Sequence, residues 1–192
     1  MVVVGIDPGT ANTGYGVVAR RGGRLTALDG GVIETRAGVA GELRLAHIHE
    51  RVGKLLDEHR PDAVALENLY FNQNAHSAFA VGQARGVVML AAGQRGIDCA
   101  AYTPQQVKGA VCGSGAAAKA QVARMVQALL GLTELPSPDH ASDALAIASI
   151  DADVAAVERL GAEYSRLQDE LEGAYARWEE VSSQFELVAG RA

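Results

Sequence analysis

The first third of the chain alternates short apolar runs with glycine-rich breaks. Residues 1–7 (MVVVGID) read as a buried strand, 14–21 (GYGVVARR) as a second and 24–35 (RLTALDGGVIET) as a third, with RGG at 21–23 as a hairpin turn. Three strands in direct succession predict an antiparallel meander. Between Gly41 and His59, Leu43, Ala46, Ile48, Val52, Leu55 and Leu56 recur at helical spacing, and Pro61 ends that helix. Residues 62–68 (DAVALEN) form a short strand, 74–96 a long helix with an apolar, small-residue surface, and 97–102 (IDCAAY) another strand. Thr103 as N-cap and Pro104 at the first helical position open the next helix. The glycine-hinged GSGAAA leads into a further one, and PSPDHASDALAIASI supplies a proline-marked turn and the start of a last helix. This order predicts an α/β fold, a mixed five-stranded sheet flanked by helices.

At 192 residues the chain suits one domain with an extension and leaves little room for a second lobe. No apolar stretch reaches the length of a membrane span, and Asp7 comes too early for a signal peptide, so a cytoplasmic protein without membrane association is expected. Cys99 and Cys112 are too few and too unpatterned for a disulfide framework or a zinc knuckle; two buried, reduced thiols are expected. The net charge of −6 is unevenly placed. Residues 1–150 hold 13 Lys and Arg against 13 Asp and Glu, whereas 151–192 hold 4 against 10. A neutral body leaves a local basic surface open to nucleic acid.

Two of the predicted strands end in carboxylates, Asp7 and Glu67. A right-handed crossover through the helix at 41–59 would set these strands side by side in parallel and deliver both acids to one sheet edge. Adjacent carboxylates repel, so a site that collects them shares a proton or binds a hard cation. His140 and Asp143, three residues apart, would share one helix face. Each has a plainer reading: Asp7 before Pro8-Gly9 as a turn former, Asp143 as an N-cap, His140 as a structural side chain. Glu67 is the hardest to read that way, because it ends the apolar run AVAL, where an unpartnered charge is costly.

GIDPGTANTGYGVV, ALENLYFNQNAHSAFAVGQARGVVM, TPQQVKGAVCGSGAAAKAQVARMV and PDHASDALAIA, in that order, closely resemble the RuvC family of bacterial Holliday junction endonucleases, which have a ribonuclease H-like fold. The resemblance covers nearly all of residues 1–150. It implies that Asp7, Glu67, His140 and Asp143 are catalytic and bind metal, with histidine in a place where some members have an acid. It also implies two Mg²⁺ per site, replaceable by Mn²⁺, which activate water and stabilise the leaving 3′ oxygen, giving 5′-phosphate and 3′-hydroxyl ends. A histidine ligand must be neutral, so activity should fall in mild acid. Lys108 and Lys119 match family lysines near the scissile phosphate, although both could be solvated helix residues. Tyr70 stands where the family has an aromatic that can stack on an unpaired base; Tyr70 and Phe71 could equally cap the core. Gly14 and Gly16 would leave room for a DNA backbone. The partners implied are a four-way junction, a second copy in a C2 homodimer through the helix near 74–93, and a branch-migration motor complex.

The resemblance ends at residue 150. From Val157 through Leu160, Tyr164, Leu167, Leu171, Ala174, Trp178, Val181 and Phe185 to Val188, apolar residues alternate in steps of three and four, which predicts a coiled-coil-like helix. We therefore expect a nuclease domain at 1–150 and an acidic helical extension at 151–192. That extension could pair with another chain, fold back on the body or simply project. The main reading is a structure-selective endonuclease acting in recombination and repair. The alternatives are a catalytically silent junction-binding module and, since GIDPGT also resembles a phosphate loop, an actin-like or sugar-kinase-like ATPase. The ATPase fold needs a second lobe that residues after 100 do not supply.

Overall fold

The computed structural model describes residues 1–68 and 75–189. Strand β1 (Val2–Asp7) pairs antiparallel with β2 (Asn12–Arg21), which pairs antiparallel with β3 (Arg24–Glu34). Gly22 and Gly23, at φ 56° and 77°, supply the left-handed turn between β2 and β3. Helix α1 (Gly41–His59) then crosses over to β4 (Ala63–Glu67), which lies parallel to β1. Helix α2 (Ala75–Gly93) leads to the edge strand β5 (Asp98–Tyr102), parallel to β4. The sheet order is β3-β2-β1-β4-β5. Helices α3 (Pro104–Cys112), α4 (Lys119–Leu130) and α5 (Asp139–Ala189) complete the chain. Thr103 and Gln106 form a reciprocal capping box at the start of α3.

Both faces of the central strands are covered, which is why β1 and β4 read as continuous apolar runs. Side chains alternate between the two layers. Val4, Ile6, Val64 and Leu66 pack under α1 and α2, while Val3 and Ala65 belong to the layer built with α3, α4 and α5. By the same alternation Asp7 and Glu67 fall on the α5 face, at the carboxyl ends of neighbouring strands. Cys112 is buried as expected, but Cys99 is exposed, because β5 is an edge strand with few residues covering that side. No helix among the described residues is long and apolar enough to cross a membrane.

The first turns of α5 lie directly on the sheet. A methyl group at Gly5 would run into the Ala144 carbonyl oxygen and come within 2.7 Å of the Ala148 amide; one at Gly14 would run into the His140 carbonyl oxygen, and one at Gly16 would come within 2.7 Å of the Leu145 amide. Gly14 and Gly16 therefore leave no room for DNA. The helix fills the space that the absent side chains open.

Helix α5 is interrupted at Asp153, whose backbone (φ −161°, ψ 78°) is extended. Asp153 Oδ1 accepts from the Ala156 amide, as an N-cap does, and Oδ2 pairs with Arg20 Nε at 2.8 Å. Two residues earlier, Asp151 Oδ1 accepts from the Tyr102 hydroxyl at 2.6 Å. The bend is thus tied to the ends of β2 and β5. Beyond it Val157 is buried, and Gly161 brings its backbone against the carbonyls of Ala110 and Val111 in α3.

Two substitutions test this packing by urea denaturation. Gly5→Ala destabilises the protein by about 3 kcal/mol through overpacking against α5, and Asp153→Ala costs about 1 kcal/mol through the lost cap.

Candidate functional site

The register of the sheet builds the site. Asp7 is the cross-strand partner of Gly14, and Ile6 is beside Leu66, so Asp7 and Glu67 are neighbours across β1 and β4. Because Gly14 admits the first turn of α5, His140 comes down next to Asp7, with Nδ1 2.6 Å from Asp7 Oδ2. Asp143, one turn further on, enters from the same helix face. The tight turn after Asp7 is closed from within by the fully buried Thr13, whose Oγ1 donates to the Gly9 carbonyl at 2.6 Å.

Helices α3 and α4 form the opposite wall. Asp7, Glu67, His140 and Asp143 line one cleft of about 340 Å³ together with Lys108 and Lys119. Lys119 Nζ lies 3.3 Å from Asp143 Oδ2. Six of the seven residues singled out from the sequence therefore converge, and both lysines face the cleft. Tyr70, like Phe71, lies outside the described residues.

Crowding sets the electrostatics. Burial, followed by the hydrogen bond and charge of Asp7 and the charge of Asp143, pushes the Glu67 carboxyl up to about 8; Lys119 opposes the shift. Burial also raises Asp143, with Asp7 adding to the rise against the pull of Lys119. Lys119 in turn is raised, chiefly by Asp143. Among the described residues no three donors close on a common point at ligand distance: Asp7 is engaged by His140 and Asp143 by Lys119. The chemistry of the donor set nonetheless suits a hard divalent cation. Oxygen ligands predominate, and the negative charges of Asp7 and Asp143, which add to burial in raising the Glu67 carboxyl, are what a cation would neutralise. With Nδ1–H donating to Asp7, a neutral His140 ring carries its lone pair on Nε2.

One supporting contact was not legible in the sequence. Arg85 in α2 donates from Nη1 to the Glu67 main-chain carbonyl at 3.1 Å and so holds the end of β4 from the other layer. The Asn68 amide, donating to the Tyr102 carbonyl at 2.7 Å, fixes the next residue. The motif GQARG marks Arg85 as unusual in an apolar helix, but only the packing of α2 on the sheet reveals its partner.

Residues 3–151 match the model of the family described as "Crossover junction endodeoxyribonuclease RuvC". The proteins of that name from Moorella thermoacetica and Syntrophomonas wolfei are 52% and 51% identical over 148 residues, which is 77% of this chain and 89% and 86% of theirs. A structure of T. thermophilus RuvC in complex with Holliday junction substrate superposes with a TM-score of 0.74 at 46% identity, covering 78% of this chain and 91% of that one. The matched span contains all of the sheet but Val2, both cleft walls and the first turns of α5, and the ribonuclease H-like arrangement is shared: the chain belongs to the RuvC family of crossover junction endodeoxyribonucleases.

Proposed function

We propose that this chain is a Holliday junction endonuclease that cuts by paired, symmetric, metal-dependent phosphodiester hydrolysis, leaving 5′-phosphate and 3′-hydroxyl ends. The carrying observation is the convergence of Asp7, Glu67, His140 and Asp143 with Lys108 and Lys119 in one cleft of a RuvC-family chain. The retained carboxylates speak against a silent binding module. A family match that spans the body speaks against an ATPase.

Membership of this nuclease family implies dependence on a divalent metal. Asp7, Glu67, His140 and Asp143 are the residues that would hold two Mg²⁺, and the chemistry such ions would supply is activation of a water and neutralisation of charge on the leaving 3′ oxygen. Asp7, which neighbours Glu67 across β1 and β4 and lies against His140, would be the central ligand. Lys119 and Lys108 draw the scissile phosphate into the cleft, and such contacts position DNA without reading its sequence. Tyr70 follows Glu67 closely enough in the chain to stack on a base near the cut.

Two matched nicks in a two-fold junction call for two copies of the site. Helix α2 supports a homodimer: it buries Ala84, Val88, Ala91 and Ala92 against the sheet while Phe79, Met89 and Leu90 remain exposed. We assign the nuclease unit to residues 1–150 and treat 151–192 as an appended extension whose first helical turns cover α3.

Incubation with a mobile four-way junction and with a linear duplex, in Mg²⁺ or EDTA, tests the reading; symmetric nicks should appear only in the junction and only with metal. Asp7→Asn abolishes nicking and leaves junction binding, so unchanged cleavage would remove Asp7 from the site. Lys108→Ala weakens binding of all junction sequences alike and lowers the salt slope of log affinity by about 1. In EDTA, Glu67→Gln melts above the parent. The folded parent holds a Glu67 proton that the unfolded chain releases near 4.5, so its stability declines as pH rises toward about 8, and the gap to the non-titrating variant widens across that window. A gap independent of pH would show that Glu67 ionises freely.

A further inference from the structure

The heptad pattern of the last helix is spent in two ways. Near its start it serves the body: Val157 is buried and Tyr164 packs against the core, while Leu160 between them is already 42% exposed, and beside the seam Gln121 Nε2 donates to Gln168 Oε1 at 3.1 Å. From Leu167 onward, Leu167, Leu171, Ala174, Tyr175, Trp178 and Val181 form one exposed stripe. Its large members are between 51% and 66% exposed, and three of them, Leu171, Tyr175 and Trp178, bound an apolar groove of about 310 Å³ together with Ala174. Five large apolar side chains in such a row mark an interface.

The charges beside the stripe indicate what covers it. Glu170 and Arg177 border one edge, Gln168 and Tyr175 the other. When a second copy is laid antiparallel with Leu167 against Trp178 and Leu171 against Ala174, each Glu170 meets the other copy's Arg177, and each Gln168 meets a Tyr175. Large residues then face smaller ones. The parallel, in-register arrangement makes neither ion pair; it sets Trp178 on Trp178 and Ala174 on Ala174, which fills space poorly. Asp169, Glu172 and Glu179 fall on outer positions in either case, so the acidity of the extension does not oppose pairing. We propose that the distal half of α5 pairs antiparallel with the same segment of a second copy of this chain.

Disulfide trapping in the full chain tests this. In a Cys99→Ser background, which removes the exposed native thiol, Leu167→Cys and Trp178→Cys are oxidised separately and as a mixture, one of them carrying a size tag. The antiparallel register sets residue 167 of one copy beside residue 178 of the other and leaves like positions about 16 Å apart along the axis, beyond disulfide reach. The mixture should yield tagged–untagged dimers about tenfold faster than either variant alone yields its own dimers. Preferential cross-linking of like positions would show parallel pairing and overturn the proposal. So would the absence of cross-links in every sample, the result expected if another protein or nothing covers the stripe. As a second measurement, Glu170→Arg or Arg177→Glu alone should slow trapping about tenfold, and the two together should restore it; failure of the double variant to recover also overturns the assignment. Nicking of a four-way junction by the same proteins reads the nuclease separately, since none of these side chains lies in the cleft.

Discussion

Everything at the candidate site depends on how closely α5 approaches the sheet. A helix normally stands off a sheet by the thickness of two layers of side chains. Here Gly5, Gly14 and Gly16 have none on that side, and Ala144 and Ala148 contribute only methyl groups. The helix backbone therefore rests on the strand backbones, and a residue in its first turn reaches a strand-end carboxylate directly. Because Gly14 pairs with Asp7, the place where the helix comes closest is also the place where the acid emerges. A single methyl group at these positions would lift the helix and separate His140 from Asp7.

That approach concentrates negative charge. Glu67 and Asp143 are both pushed toward the protonated form by burial and by their acidic neighbours, while Lys119 restrains the shift from the α4 wall. Without a counter-ion such a cluster is a standing strain on the fold. The scaffold tolerates it because its other supports are rigid. β1 and β4 are buried on both faces, Thr13 closes the turn after Asp7, and Arg85 holds the Glu67 carbonyl from the α2 layer. Around such crowded carboxylates either a proton or a bound cation relieves the charge, and the cation links the fold to the chemistry proposed for it.

The appended helix shows how one periodic pattern can meet two environments. Asp153 restarts the helix after a bend, with Arg20 and Tyr102 holding the bend from both ends. Its first turns complete the cover over α3, where Gly161 allows backbone-to-backbone approach. Its later turns carry the same three-four spacing past the body and present it to solvent.

The sequence by itself determined a good deal. Apolar runs and turn glycines defined the strands, the crossover rule placed Asp7 and Glu67 on one edge, and a spacing of three put His140 and Asp143 on one helix face. These features were legible because each follows from local periodicity or from the handedness of a single connection. Only the tertiary structure decided that Gly14 and Gly16 receive α5 rather than DNA, that Arg85 reaches the Glu67 carbonyl, that Cys99 is exposed on an edge strand, and that the heptad seam leaves the body after Tyr164. The physical reason is the same in each case. A one-dimensional pattern reports which side of an element is apolar or lacks a side chain, whereas what comes to occupy that side depends on the packing of segments far apart in the chain.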